Sequence, residues 1–228
     1  MNILLTAATI LEIAPFTALI QQRAIQITDN TYKLGNHHVT ILIAGIGMMP
    51  AAWSLSRYFA TTKPDIAIQA GIAGSFRTEW PLGKTLAVNH EYLADLGAEL
   101  ASGDFNDLFD IQLWQPDIPP FTGISLTNTF QGIPPIPHLE TASSASINTV
   151  TGTLPSRDKL LAKYQPDLES MEGAAFHYAC LMDRIPFLQI RTISNYVEQR
   201  DRSKWNIPLA VRELNQSLQH LFQTWNIW

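Results

Sequence analysis

Three polar residues of the sequence stand where an apolar run gives way to a turn or a helix. Glu12 follows the apolar residues 2–7, Glu172 precedes an apolar helix-like stretch, and Asn195 follows the strand-like residues 187–193. A glutamate carboxylate can activate water as a general base, and it can also accept two hydrogen bonds from neighbouring sugar hydroxyls. An asparagine amide both donates and accepts hydrogen bonds. These residue types suit a site that binds a sugar-bearing ligand and activates water or a hydroxyl.

Each of the three residues also has a purely structural explanation. Glu12 near a helix start is a favourable partner for the helix dipole, and Glu172 fits a solvated position in a first helical turn. Asn195 fits a turn residue or a helix cap. The three residues taken singly leave both explanations open. Their joint placement at strand ends favours a site, because ligands gather beyond the carboxyl ends of the strands in α/β sheets.

The strand-like and helix-like stretches alternate along the chain, which predicts an α/β fold. Glycine-containing segments, residues 45–47 and residues 71–74, are predicted as turns that end two strands and mark the edge of the site. A proline-rich segment, residues 115–137, is predicted as an ordered loop that covers the site. The predicted strands are residues 2–7, 38–44, 66–70, 85–89, 146–151 and 186–193. The predicted helices run to residue 19 and over residues 50–58, 171–182 and 207–225, and residues 155–163 are predicted as a helix or a turn.

Length and composition bound the class of protein. The chain has 228 residues, of which 46% are apolar and 15% are charged, and we therefore predict one globular domain over residues 1–228. The net charge of -5 and the lack of a basic run argue against a nucleic-acid partner. The single cysteine, Cys180, cannot form an internal disulfide and fits a reducing, cytoplasmic location. No apolar run approaches about 18 residues, so no membrane partner is expected.

Neither a cofactor nor a metal is predicted. Residues 45–47 supply two glycines of a dinucleotide-binding fingerprint but lack the third, and no suitable acid follows about 20 positions later. The histidines show no metal-ligand spacing with nearby acids. The expected partner is therefore a small molecule bound by side chains and backbone alone.

Several segments together resemble the nucleosidase branch of the nucleoside phosphorylase superfamily. They are residues 45–47, 64–74, 171–175 and 190–194, with Gly83. The resemblance implies a single three-layer αβα domain with a central, mostly parallel mixed sheet, which forms a homodimer or a higher homo-oligomer. It also implies that Glu172 binds the ribose 2′- and 3′-hydroxyls, that Met171 packs against the sugar and that Glu12 activates the attacking water. Further substrate contacts are expected from Ile46, Gly47, Ala73, Gly74 and Leu154.

Asn195 departs from the residue that is usual in adenine-releasing nucleosidases, which is an aspartate. An amide N–H can donate to a 6-oxo group, so Asn195 favours a 6-oxopurine such as hypoxanthine. Residues 195–205 and 95–99 are similar to the futalosine hydrolases of the alternative menaquinone pathway, which implies release of hypoxanthine from futalosine. Arg200 and Arg202 are predicted either to bind the carboxylate of such a substrate or to form a surface ion-pair cluster with Glu198 and Asp201.

A second departure concerns Ile72. Many phosphorylases carry a hydroxyl residue in the corresponding glycine-rich segment, where it helps to hold phosphate, and Ile72 has no polar side-chain atom. Backbone N–H groups there can still hold an anion or a water. Hydrolysis is favoured, and the alternatives are a phosphate-dependent purine nucleoside phosphorylase, a methylthioadenosine/adenosylhomocysteine nucleosidase and a nucleoside-binding or storage protein without activity.

Overall fold

The structure, a computed structural model, describes residues 1–131, 133, 136 and 139–228. Its strands are β1 (Asn2–Ala7), β2 (Ile25–Gln26), β3 (Thr31–Leu34), β4 (His37–Ile43), β5 (Ile66–Ser75), β6 (Thr85–Leu93), β7 (Gly97–Glu99), β8 (Phe105–Asp107), β9 (Leu126–Thr127), β10 (Glu140–Ser146), β11 (Leu168–Ser170) and β12 (Phe187–Tyr196). Its helices are α1 (Ile10–Arg23), α2 (Met48–Phe59), α3 (Leu154–Tyr164), α4 (Gly173–Asp183) and α5 (Ile207–Thr224), with a short 3-10 helix at Arg202–Lys204.

A large mixed sheet forms the centre of the fold. Its strands follow the order β11-β10-β6-β12-β5-β1-β4-β3-β2, and β9 lies beside β6. The longest ladders, which pair β5 with β12, β6 with β10 and β1 with β4, are parallel. Because β11 pairs with both β10 and β5, the strands β5, β12, β6, β10 and β11 close into a ring. The predicted central sheet, mixed and mostly parallel, is confirmed.

Alternating side chains of the central strands face two different helical layers. On β1, Leu5 packs with residues of α1 and α5, whereas its neighbour Leu4 packs with residues of α2 and α4. Ile68 and Ala67 on β5 divide in the same way. This two-residue period is what a strand buried on both faces requires. The result is the three-layer αβα arrangement that the resemblance implies.

Two sequence predictions of local structure are wrong. The strand predicted at residues 146–151 lies earlier, at β10, whose small and hydroxyl residues lack the β-branched apolar pattern of a strand. Residues 71–74 are not a turn, because β5 continues through them to Ser75. The Gly71 position is tight for another reason: a Cβ there would lie 2.2 Å from Nη1 of Arg191.

The remaining predicted elements correspond to observed ones, with shifts at their ends. On α5, Leu214, Leu218 and Leu221 of the predicted apolar face are buried, whereas Leu209 and Val211 are half-buried. The sequence did not predict the short strands β2, β3, β7, β8, β9 and β11. Within the described residues, no helix combines the length and the apolar character needed to cross a bilayer.

Candidate active site

A cavity of about 300 Å³ lies beyond the carboxyl ends of β1, β5 and β12, next to the beginnings of α1 and α4. Ligand sites in α/β folds usually lie where the carboxyl ends of strands meet the beginnings of helices. Of the residues predicted from the sequence, the cavity is lined by Glu12, Ile46, Ala73, Gly74, Met171, Glu172 and Asn195.

Glu12 is held in the first turn of α1 by hydrogen bonds at both carboxylate oxygens. Its Oε2 accepts the backbone N–H of Thr9 at 3.0 Å, as in a helix capping box, and its Oε1 accepts the N–H of Ile72 at 3.2 Å. The amide of Asn215 braces the same turn, because its Oδ1 accepts the N–H of Phe16 and its Nδ2 donates to the carbonyl of Glu12. Glu12 therefore caps the start of α1, near the positive end of the helix dipole, and lines the cavity at the same time.

Burial sets the proton affinity of Glu12. Desolvation raises the pKa of its carboxyl above the ordinary glutamate value, although Arg191 and the two backbone donors act in the opposite direction. The charge of Glu172 adds a smaller upward contribution. A carboxylate with a raised pKa is a stronger base, which suits it to take a proton from water.

Glu172 stands at the N-cap position of α4, and its carboxylate points to a second helix start. Its Oε1 accepts the backbone N–H of Gly47, the N-cap of α2, at 2.9 Å. Gly47 has a φ of 92°, a left-handed conformation that favours glycine. The positive ends of helix dipoles stabilise a carboxylate, and a carboxylate has lone pairs to spare for two hydroxyl groups.

Arg191 is the buried cation between these acids, and the sequence interpretation gave it no role. The residue is 2% exposed, and its Nη1 lies 3.6 Å from Oε2 of Glu172. Its Nη2 donates to Oε1 of Gln69 at 3.1 Å. A charged residue inside an apolar strand was the available signal, because a buried charge requires a partner.

Asn195 presents a fixed amide to the cavity. Its Oδ1 accepts the hydroxyl of Ser194 at 2.8 Å, and its Nδ2 donates to the carbonyl of Tyr196 at 3.1 Å. These two bonds set which end of the amide is the donor. An amide nitrogen carries two N–H groups, so one donor is left for a ligand.

Four further residues were predicted as substrate contacts, and the structure places only two of them at or next to the cavity. Gly47 takes part through its bond to Glu172, and Arg200 lines an adjoining cavity of about 310 Å³ that shares Asn195 and Trp205 with the first. Leu154 and Arg202 are exposed and, in the part of the chain that the structure describes, line neither cavity.

The described residues of the predicted cover, segment 115–137, do not line the cavity. Residues 132, 134, 135 and 137 of this segment fall outside the described residues. Phe109, Trp114 and Phe121 pack against one another, and Phe130 packs against Phe187 of the core. These aromatic residues therefore support the fold, because their rings contact one another and the core.

Glu169 is a lining residue that the sequence interpretation did not identify. It is 6% exposed, and its Oε1 accepts the backbone N–H of Thr151 at 3.1 Å. Burial raises the pKa of Glu169, whereas the side chain and the backbone N–H of Thr151 lower it. Its place two residues before Met171 was the only sequence signal. Among the described residues, no three His, Cys, Asp or Glu side chains group as ligands for a metal ion.

The sequence of the whole chain identifies the protein family. The sequence profile described as the phosphorylase superfamily matches residues 22–223. The chain belongs to the phosphorylase superfamily. Within this superfamily it is 30% identical over 204 residues to the futalosine hydrolase of Streptomyces coelicolor, a match that covers 82% of this chain and 80% of the relative. The predicted resemblance to the nucleosidase branch, and within it to futalosine hydrolases, is confirmed.

Two solved structures of other proteins show the same fold. A futalosine hydrolase mutant of Helicobacter pylori has a TM-score of 0.76 at 16% identity, covering 98% of this chain and 99% of that one. The methylthioadenosine/adenosylhomocysteine nucleosidase of the same organism, in complex with a substituted pyrrolopyrimidine, has a TM-score of 0.77 at 15% identity, with 98% of both chains covered. At such identities the likeness supports the fold and leaves the substrate open.

Proposed function

We propose that this chain hydrolyses the N-glycosidic bond of futalosine and releases hypoxanthine. The enzyme class follows from the relatives: the chain is a nucleosidase, a hydrolase acting on N-glycosyl bonds. The finer proposal is carried by one observation, the convergence of Glu12, Glu172 and Asn195 on one cavity. The 30% sequence identity to the Streptomyces futalosine hydrolase supports futalosine as the substrate.

In the proposed mechanism each polar group acts on a different part of the nucleoside. Glu172 accepts the ribose 2′- and 3′-hydroxyls, and Met171 packs against the sugar. Asn195 donates to the departing 6-oxopurine, so that charge developing on the base is stabilised. Glu12 takes a proton from water as the water attacks the anomeric carbon of an oxocarbenium-like sugar. The nearby carboxylates also favour the positive charge that builds on that sugar.

The surroundings of Ile72 favour water over phosphate as the attacking group. The N–H of Ile72, which is a candidate anion donor, already donates to Oε1 of Glu12. Arg191 is engaged by Glu172 and Gln69. A phosphate dianion placed here would be repelled by two carboxylates and would have to displace these partners. A neutral water is not repelled and need not displace them.

Product analysis tests the proposed reaction. The protein is incubated with futalosine, inosine and methylthioadenosine, each with and without phosphate, and the free base is identified. We expect hypoxanthine from futalosine at a rate independent of phosphate. Phosphate-dependent release would indicate a phosphorylase, adenine release from methylthioadenosine would indicate the other nucleosidase, and binding without release would indicate a binding protein.

The proposed contacts to the 5′ side of futalosine are less central. The guanidinium of Arg200 lies 5.9 Å from the ring of Trp205, which lines the cavity. From that position we propose that Arg200 binds the substrate carboxylate as a bidentate donor. Leu154 and Arg202 remain predicted contacts, and their exposed positions require the substrate or a partner chain to extend to them.

We also propose a homodimer whose interface is the apolar groove between α2 and α4. The groove is about 630 Å³ in volume. Its lining includes the large exposed side chains of Met49 and Met182 and the small residues Ala52 and Ala175. Protruding and small apolar residues on one patch can interdigitate with the same patch of a second copy, as a twofold interface requires. The groove adjoins the site, since Ala175 lies three residues after Glu172.

Mass measurement in solution tests the dimer. We expect light scattering to give twice the chain mass for the wild type and the monomer mass for Met182→Glu. Ile27→Glu places the same charge on a residue that is 53% exposed, close to the 57% of Met182, outside the groove and outside the site, and serves as the matched control. A Met182→Glu protein that stays dimeric would assign the interface to another face.

A further inference from the structure

Glu169 is a buried carboxylate that the mechanism above does not use. It lines the same cavity as Asn195, its Oε1 accepts the N–H of Thr151, and the side chain of Thr151 also stabilises the carboxylate. Its Oε2 has no hydrogen-bond partner among the described residues. Leaving a buried acceptor without a partner is unfavourable, more so when the group is charged, so a hydrogen bond from a ligand donor would stabilise Glu169.

Strand register places Glu169 and Asn195 on either side of one glycine. Gly74 of β5 pairs with Glu169 of β11 and also with Asn195 of β12. Neighbouring strands are about 4.8 Å apart, so the two backbones stand roughly 10 Å apart across Gly74. A Cβ on Gly74 would lie 3.2 Å from Nδ2 of Asn195, so glycine keeps the space beneath that amide open. A flat base above Gly74 would present one edge to each side chain.

We propose that Glu169 accepts the N1–H of a 6-oxopurine while Asn195 donates to the O6 and N7 edge of the same base. This assignment rests on the proposed function and names the group that recognises the second edge of its leaving base. A 6-oxopurine carries a hydrogen on N1, whereas adenine carries a lone pair there. A carboxylate only accepts hydrogen bonds, so it pairs with the first base and repels the second. The terminal torsion of glutamate is broad, which lets Oε2 turn to the ligand.

Binding of free bases tests the assignment without relying on catalysis. Calorimetry measures the dissociation constants of hypoxanthine and adenine for the wild type, for Glu169→Gln and for Glu79→Gln, an exposed matched control. Glutamine at 169 can keep the bond from Thr151 through its Oε1, and its amide can donate to N1 of adenine. We expect the hypoxanthine-to-adenine affinity ratio to fall about 10- to 100-fold in Glu169→Gln and to stay unchanged in Glu79→Gln.

The outcomes separate this assignment from the proposed function. An unchanged ratio in folded Glu169→Gln, or a wild type that binds neither base, overturns the role of Glu169. A shifted ratio in a protein that releases no hypoxanthine from futalosine overturns the proposed function and leaves the base contact standing. If Glu169→Gln does not fold, the wild type decides, because equal affinities for hypoxanthine and 1-methylhypoxanthine would show that N1–H is not recognised.

Discussion

Two adjoining regions of the molecule hold their charges in opposite ways. In the site centre, defined as Glu12, Glu172 and Arg191, every charge is buried and fixed by backbone donors or by the other members. In the charged segment, residues 198–204, most side chains are exposed, and pairs such as Lys204 with Glu198 lie in water.

The difference determines what each region can do. Solvent screens an exposed ion pair, which is typically worth about 0–1 kcal/mol, whereas a buried charge that loses its partner costs about 3–5 kcal/mol. The site centre therefore provides a fixed electric field within the cavity, as catalysis by fixed charges and dipoles requires. The charged segment can adjust to a ligand, but each of its contacts contributes little.

The largest expected effect is on turnover, from Glu12→Gln. Glutamine cannot take the proton of water, so kcat should fall about 10²–10⁴-fold. The wild-type kcat/KM should decline on the acid side at a pH above the ordinary glutamate pKa, because burial raises the pKa of Glu12 and only the ionised form is a base. Steady-state rates from acid to neutral pH check both points. Near-normal turnover in a folded variant would remove Glu12 from this role.

Arg191→Met should have the next largest effect, on stability. The substitution leaves two buried carboxylates without their cation, for which the expected loss is about 3–5 kcal/mol in the free energy of unfolding. Urea denaturation measures the loss. Arg202→Met, in the charged segment, is the control and should stay within about 0.5 kcal/mol of the wild type. Equal stability of the two variants would contradict the contrast between the regions.

Asn195→Asp should change base preference more than rate. A carboxyl group accepts from the amino group of adenine and, when protonated, donates to N7, so the ratio of kcat/KM for inosine over adenosine should fall about tenfold or more. Asn206→Asp, at the exposed N-cap of α5, is the matched control. An unchanged ratio would mean that the base is recognised elsewhere.

The smallest effect is expected in the charged segment itself. Arg200→Ala should raise the KM for futalosine up to about fivefold and leave the KM for inosine unchanged, since an exposed contact is worth at most about 1 kcal/mol. Arg212→Ala, which removes an exposed arginine outside the charged segment, should change neither value. Equal effects of both substitutions on futalosine would assign the contribution to general charge rather than to the cavity that Arg200 lines.

The sequence identified the acids and the amide of the site but only part of what holds them. Glu12 and Asn195 stand near recognisable strand ends and Glu172 precedes a recognisable apolar helix, so their positions could be predicted. Arg191 and Glu169 lie inside strands, where a single charged residue carries no local pattern that names its partner. Strand β10 was misplaced for a related reason, because its hydroxyl residues become strand only through pairing with β6 and β11.

The sequence by itself determined the α/β class, the strands of the centre and the residue types of the chemistry, because apolar periodicity and strand-end polarity are local properties. Only the tertiary structure decided that β11 closes a ring with β5, which brings Glu169 beside Gly74 and opposite Asn195. It also decided that the Ile72 N–H is taken by Glu12, 60 residues away along the chain. Such contacts join distant segments, and no local pattern specifies them.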